Sequence, residues 1–171
     1  MKFMHLFALV ALQLPMSLAA TAQELPPVEY AIRESVPQTG TTIKKEVAWS
    51  SALPINRTYA QLTPEQRAPL HAEYERIEEG DEPPFPRDGL KPLLNAIWKG
   101  QSSYLATGTL LLVATVDAAG KVTKVDAYGV PDPDLAKYAA SVLLLTEFKP
   151  ALCKGTPCAM QFPFSLKPEV K

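Results

Sequence analysis

Cys153 and Cys158 are the only two cysteines in the chain, and the four residues between them, Lys154-Gly155-Thr156-Pro157, decide what they can do. Redox exchange motifs place two residues between their thiols, so this spacing argues against a catalytic pair. A metal site needs more nitrogen and sulfur ligands than are at hand, because His71 is the only histidine outside the N-terminal leader. A structural disulfide between Cys153 and Cys158 is the reading that remains for a chain in an oxidising compartment. Closing so short a loop is worth roughly 2 kcal/mol in the chain-entropy picture.

Other reactive side chains have plainer explanations. The run Glu73, Glu75, Glu78, Glu79 and Asp81 reads as a solvated acidic helix face, since nothing pairs these carboxylates with histidine or a ligand loop. His71 lies on that same stretch and is expected to face solvent. Asp117, Asp132 and Asp134 suit turn and cap positions. No G-x-S-x-G, Gly-rich phosphate loop, H-E-x-x-H or C-x-x-C occurs. The expectation is a protein that is not an enzyme and has no catalytic residue, metal or cofactor.

What is left is recognition, and it centres on the last strand signal. From Ala159 to Lys167 the chain alternates, with Met160, Phe162, Phe164 and Leu166 facing inward and Gln161, Pro163 and Ser165 on the other face. Pro163 has no amide hydrogen, so it belongs where that donor would point away from the sheet. That makes the final strand an edge.

The elements that must hold this strand lie just before it. Leu110, Leu112, Ala114 and Val116 share one face of a strand and Leu111, Val113 and Thr115 the other, which marks it as central. Asp117-Ala-Ala-Gly120 reverses the chain into a second strand, Lys121 to Tyr128, where Val122 and Val125 stand three apart and predict a bulge or an edge position. Asp132 caps a helix with Pro133 at its first position, and Leu135, Tyr138, Ala139, Val142, Leu143 and Leu145 form the stripe it buries. The order is strand, strand, helix, strand, an α+β class with two layers and a three-stranded antiparallel or mixed sheet on which helices pack.

Upstream, Asp88 reads as the cap of a helix whose Leu90, Leu93, Leu94, Ile97 and Trp98 lie on one face, with Trp98 in the core. Thr63-Pro64-Glu65-Gln66 starts an acidic helix over 63–80, in which Pro69 should kink the chain or delay the start to about Ala68. Residues 23–62 read as a proline-containing arm, with one short strand between Thr41 and Trp49. The first 22 residues have Lys2, the apolar run Phe3 to Leu14, a break at Pro15 and the small-x-small triplet Ala20-Thr21-Ala22, which make a secretory signal peptide cut between Ala22 and Gln23. Phe3 to Ala22 is also about long enough to span a bilayer as an uncleaved anchor.

Composition excludes a further class. With 17 Lys and Arg against 18 Asp and Glu the formal charge is -1, so no strong field draws the chain to nucleic acid. The 47% apolar content is enough for a core.

Together the motifs resemble the C-terminal domain of the TonB energy-transducer family. They are Val116-Asp117-Ala118-Ala119-Gly120, Lys121-Val122, Phe148-Lys149-Pro150-Ala151, Gly155 and Pro163-Phe164-Ser165-Leu166, in that order, and the likeness covers residues 83–168. It implies a periplasmic protein whose final strand, Met160 to Leu166, accepts a strand from a protein partner such as the TonB box of an outer-membrane receptor. If Phe3 to Ala22 were retained, the resemblance would imply an inner-membrane energy transducer engaging ExbB and ExbD. The transducers' proline repeats and the serine upstream of the leader histidine, His5, are not matched here. A third reading is a structural envelope protein that self-associates as a homodimer.

Overall fold

Residues 28–33, 43, 53–101, 108–130 and 132–166 are described by a computed structural model, and their fold is α+β. The sheet is built outward from the strand whose two faces are both apolar. This strand, β3 (Leu110–Val116), lies between β4 (Val122–Tyr128) and β8 (Met160–Leu166), both antiparallel to it. Leu110, Leu112, Ala114 and Val116 face the main core together with Phe162, Phe164 and Leu166, while Val113 faces a second cluster on the opposite side. The register shifts where Val116 pairs with Val122 and Thr115 with Lys124, so Thr123 is the bulge that the valine spacing predicts.

The sheet has four strands rather than three. A parallel strand, β1 (Glu29–Arg33), lies on the outside of β4 within the stretch expected to be an arm. Its five residues show no clear period of their own. What recruits them is the open side of β4 and the pairing of Arg33 with Asp126, partners 93 positions apart that no local pattern joins. It follows that β4, bulged as expected, is not an edge.

Helices α2 (Leu90–Gln101) and α3 (Pro133–Leu144) bury Leu90, Leu93 and Ile97, and Leu135, Ala136, Ala139 and Leu143, against the main core face. The Asp132 carboxylate accepts from the amides of Asp134 and Leu135 and so caps α3 as its sequence predicts. Tyr138 donates to the Ala96 carbonyl at 2.8 Å, and its ring fills the space beside Gly100, where a Cβ would overlap it. Three side chains depart from expectation. Leu145 is 86% exposed because the helix ends at Leu144, and Trp98 is 48% exposed on the outer flank of α2. Asp88 does not occupy the position next to the helix. There Gly89 holds φ +81, and the Lys91 amide is satisfied by the Ile55 carbonyl at 2.7 Å.

The acidic helix is shorter than predicted. Thr63 and Gln66 form the capping box, and α1 (Pro64–Ala72) starts there and runs through Pro69 without delay. It stops after two and a half turns because Tyr74 turns into the second cluster, where it is 4% exposed and bridges Ile43. Before it, Leu53, Leu62 and Tyr59, the last on a 3-10 turn (Tyr59–Gln61), pack into the main core, so part of the expected arm is structural. Of the strand expected between Thr41 and Trp49 only Ile43 is among the described residues, as an isolated bridge.

Short pairs complete the frame: β2 (Phe85–Pro86) with β5 (Phe148–Lys149), and β6 (Ala151–Cys153) with β7 (Thr156–Cys158). The Asp117 carboxylate accepts from the amides of Ala119 and Lys121, and the Gly120 carbonyl accepts from the Phe148 amide at 2.9 Å. A Cβ at Gly120, which has φ +82, would strike the Phe148 carbonyl oxygen. The turn motif and the Phe-Lys-Pro motif, 28 positions apart, are thus parts of one contact.

Candidate functional site: the free edge of the last strand and a polar cleft

Strand β8 ends the sheet on the side away from β1, as its proline predicts. Its ladder phase follows from chemistry. Pro163 lies opposite Val113 and cannot return an amide bond, so the Val113 pair is the non-bonded kind and the main-chain groups of Gln161, Pro163 and Ser165 point outward. Tyr74 reads that phase, since its hydroxyl donates to the Gln161 carbonyl at 2.8 Å. Burial pushes the Tyr74 hydroxyl pKa up, so it remains a donor at any ordinary pH.

The outward row is therefore uneven. At Gln161 the carbonyl is taken, and at Pro163 there is no donor. Ser165 alone presents both an amide hydrogen and a carbonyl. The Gln161 side-chain Oε1 is closed off from water with no donor, a position that costs about 1–3 kcal/mol if it stays unmet. The inward side is anchored by aromatic packing, with Phe162 edge-on to Phe148 at 5.1 Å and to Phe85 at 6.4 Å.

Cys153 and Cys158 are bonded to each other as expected. Lys154 and Gly155, with φ +52 and +80, make the two-residue turn between β6 and β7. Asp81 accepts from the Lys154 amide at 2.8 Å, and the Lys154 ammonium pairs with Glu78 at 2.9 Å, which ties the closed hairpin to the end of the acidic run. Among the described residues no group of three or more His, Cys, Asp or Glu is placed to hold a metal ion. Among them, too, no helix is long and apolar enough to cross a membrane. Ala22 and Gln23 lie outside the described residues.

A second constellation has no counterpart in the sequence reading. Between α1 and residues 80–82 lies a cleft of about 500 Å³ walled by Tyr59, Arg67 and His71 on one side and by Asp81 and Glu82 on the other. Instead of facing solvent, His71 shares a hydrogen bond with the Tyr59 hydroxyl at 3.1 Å, and burial together with the Arg67 charge lowers its pKa. Burial, helped by the Glu82 charge, pushes the Tyr59 pKa up to about 12. Two cations lie against the Tyr59 ring, the Arg67 guanidinium at 4.5 Å and the Lys149 ammonium at 4.6 Å. Lys149 is paired with Glu82 at 2.9 Å. These residues come from four separate stretches, and the one local clue to them is that His71 follows Arg67 by one helical turn.

No known protein family, curated protein or solved structure matches this chain.

Proposed function

We propose that this chain is a secreted, periplasmic binding module that takes up an extended segment of a partner protein along β8, in the manner of TonB C-terminal domains. The observation that carries the reading is the position of β8 at the end of the sheet, with a Ser165 amide and carbonyl that have no outer partner among the described residues. Strand addition draws its affinity from such main-chain bonds and its register from alternate side chains. Pro163 and Tyr74 restrict the register, so a guest strand pairs first at the Ser165 end. The contact between Gly120 and Phe148 supports the resemblance, because it gives two of the matched motifs one shared structural task.

The test is fluorescence anisotropy with a labelled TonB-box peptide from an outer-membrane receptor, run together with amide hydrogen exchange. The expected result is saturable binding with the Ser165 amide newly protected. Absence of binding, or binding that leaves Ser165 unprotected, would overturn the proposal.

A further inference from the structure

The polar cleft shares Tyr59 with the hydrophobic core and has a charge arrangement that the strand-binding reading does not use. Each described carboxylate around it has an assigned partner. Glu82 is paired with Lys149, and Asp81 accepts from the amides of Lys154 and Glu78. Arg67 differs. Its guanidinium carbon lies over the Tyr59 ring, 4.5 Å from the centroid, its Nη2 reaches the Ala60 carbonyl only at 3.5 Å, its Nε is buried without a hydrogen-bond partner among the described residues, and none of the described carboxylates forms an ion pair with it. A half-buried cation that is held over a ring and has no counter-charge among the described residues is preorganised for an anion.

We infer that this cleft binds a carboxylate group, received by Arg67 with His71 beside it. The size and charge of the cleft limit the ligand further. About 500 Å³ admits a small acid or the C-terminal residue of a peptide. Glu82 neutralises Lys149, which leaves Arg67 as the receiving cation and Asp81 on the facing wall, so a singly charged carboxylate meets less repulsion there than a doubly charged phosphate. The Tyr59 hydroxyl bond engages His71 Nε2 and orients the ring, leaving Nδ1 without a partner among the described residues. Because His71 is held towards its neutral form, it takes part by hydrogen bonding, and Arg67 supplies the charge.

The probes are N-acetylglycine, its amide N-acetylglycinamide, and inorganic phosphate, each titrated at constant ionic strength into the full chain while the Arg67 Nε–H and His71 ring signals are followed by NMR. N-acetylglycine is expected to shift both signals saturably, the amide to shift neither, and phosphate to bind at least tenfold more weakly than N-acetylglycine. Arg67→Gln is expected to weaken N-acetylglycine at least tenfold. Should Arg67→Gln fail to fold, Ala68→Glu provides the second arm. Ala68 is an exposed residue on the cleft wall, and a carboxylate there satisfies Arg67 from within and abolishes binding without touching the core. Shifts that do not saturate, that the amide or phosphate reproduces, or that survive Ala68→Glu would overturn the assignment. A negative result with the TonB-box peptide would leave this test unaffected.

Discussion

The two edges of the sheet are finished by opposite means. Strand β8 is held from inside, by Phe162, Phe164 and Leu166 in the core, and its outer row is trimmed by Pro163 and the Tyr74 hydroxyl. Strand β1 lends the core only the half-buried Tyr30 and is held chiefly by its parallel ladder to β4 and by an ion cluster in which Asp126, 6% exposed, meets Arg33 at 3.0 Å and Lys124 at 3.3 Å, with Glu29 at 4.0 Å from Lys124. Ile32 on β1 is 47% exposed. An edge fixed by burial can leave its backbone free to recognise a partner. An edge fixed chiefly by its backbone and its ion pairs has spent that capacity on staying attached.

The largest test of this contrast is Phe162→Ala. Removing a ring that is 1% exposed between Phe85 and Phe148 is expected to cost about 3–5 kcal/mol in urea denaturation. A cost under about 1 kcal/mol would mean that β8 is not anchored by its core face. Tyr74→Phe comes next, with an expected loss of about 1 kcal/mol, because one hydrogen bond goes while the ring stays buried. The same variant should bind a strand peptide more tightly, since it returns the Gln161 carbonyl to the edge; unchanged affinity would show that Tyr74 does not limit the register.

Acid should separate the edges more gently. The His71 pKa is lowered from 6.5 in the fold, so the unfolded chain takes up its proton first. The stabilisation is fully present above about pH 6.5 and is lost as pH falls through the lower folded value. Urea midpoints at pH 7.5 and 5 should show this decline, and His71→Gln should remove the part owed to this residue. His71 lies three positions before Tyr74, so hydrogen exchange should rise beside β8 before it rises in β1. The smallest effect is that of salt. Raising sodium chloride should speed amide exchange in β1, whose charges are partly exposed, and leave β8 unchanged. An equal response from both strands would erase the distinction between them.

Much of the interior could be read from the chain because its signals are local. Asp132-Pro133 announces α3, Thr63-Pro64 announces α1, the double-faced apolar run fixes β3 at the centre, and a single proline puts β8 at an end. The disulfide needed only spacing and the expectation of an oxidising compartment. What could not be read depends on partners far away in sequence. The β1 strand exists because β4 offers a side to it, α1 stops early because Tyr74 is worth more in the second cluster, and Leu145 misses the core because the helix ends one residue before it. The cleft combines Tyr59, Arg67, His71, Glu82 and Lys149, of which only Lys149 stands in a motif read from the sequence, and that motif does not point to the others.

The parallel pairing of β1 bears on the order in which the molecule assembles. A chain that emerges N-terminus first exposes Arg33 long before Asp126, 93 positions later, gives it a place to bind. The hairpin of β3 and β4 and the neighbouring α3 close short loops and can form early, and β8 can then dock on β3. The earliest of the described strands is thus the last that local contacts can help, and the described sheet is sealed by the segment that waited longest.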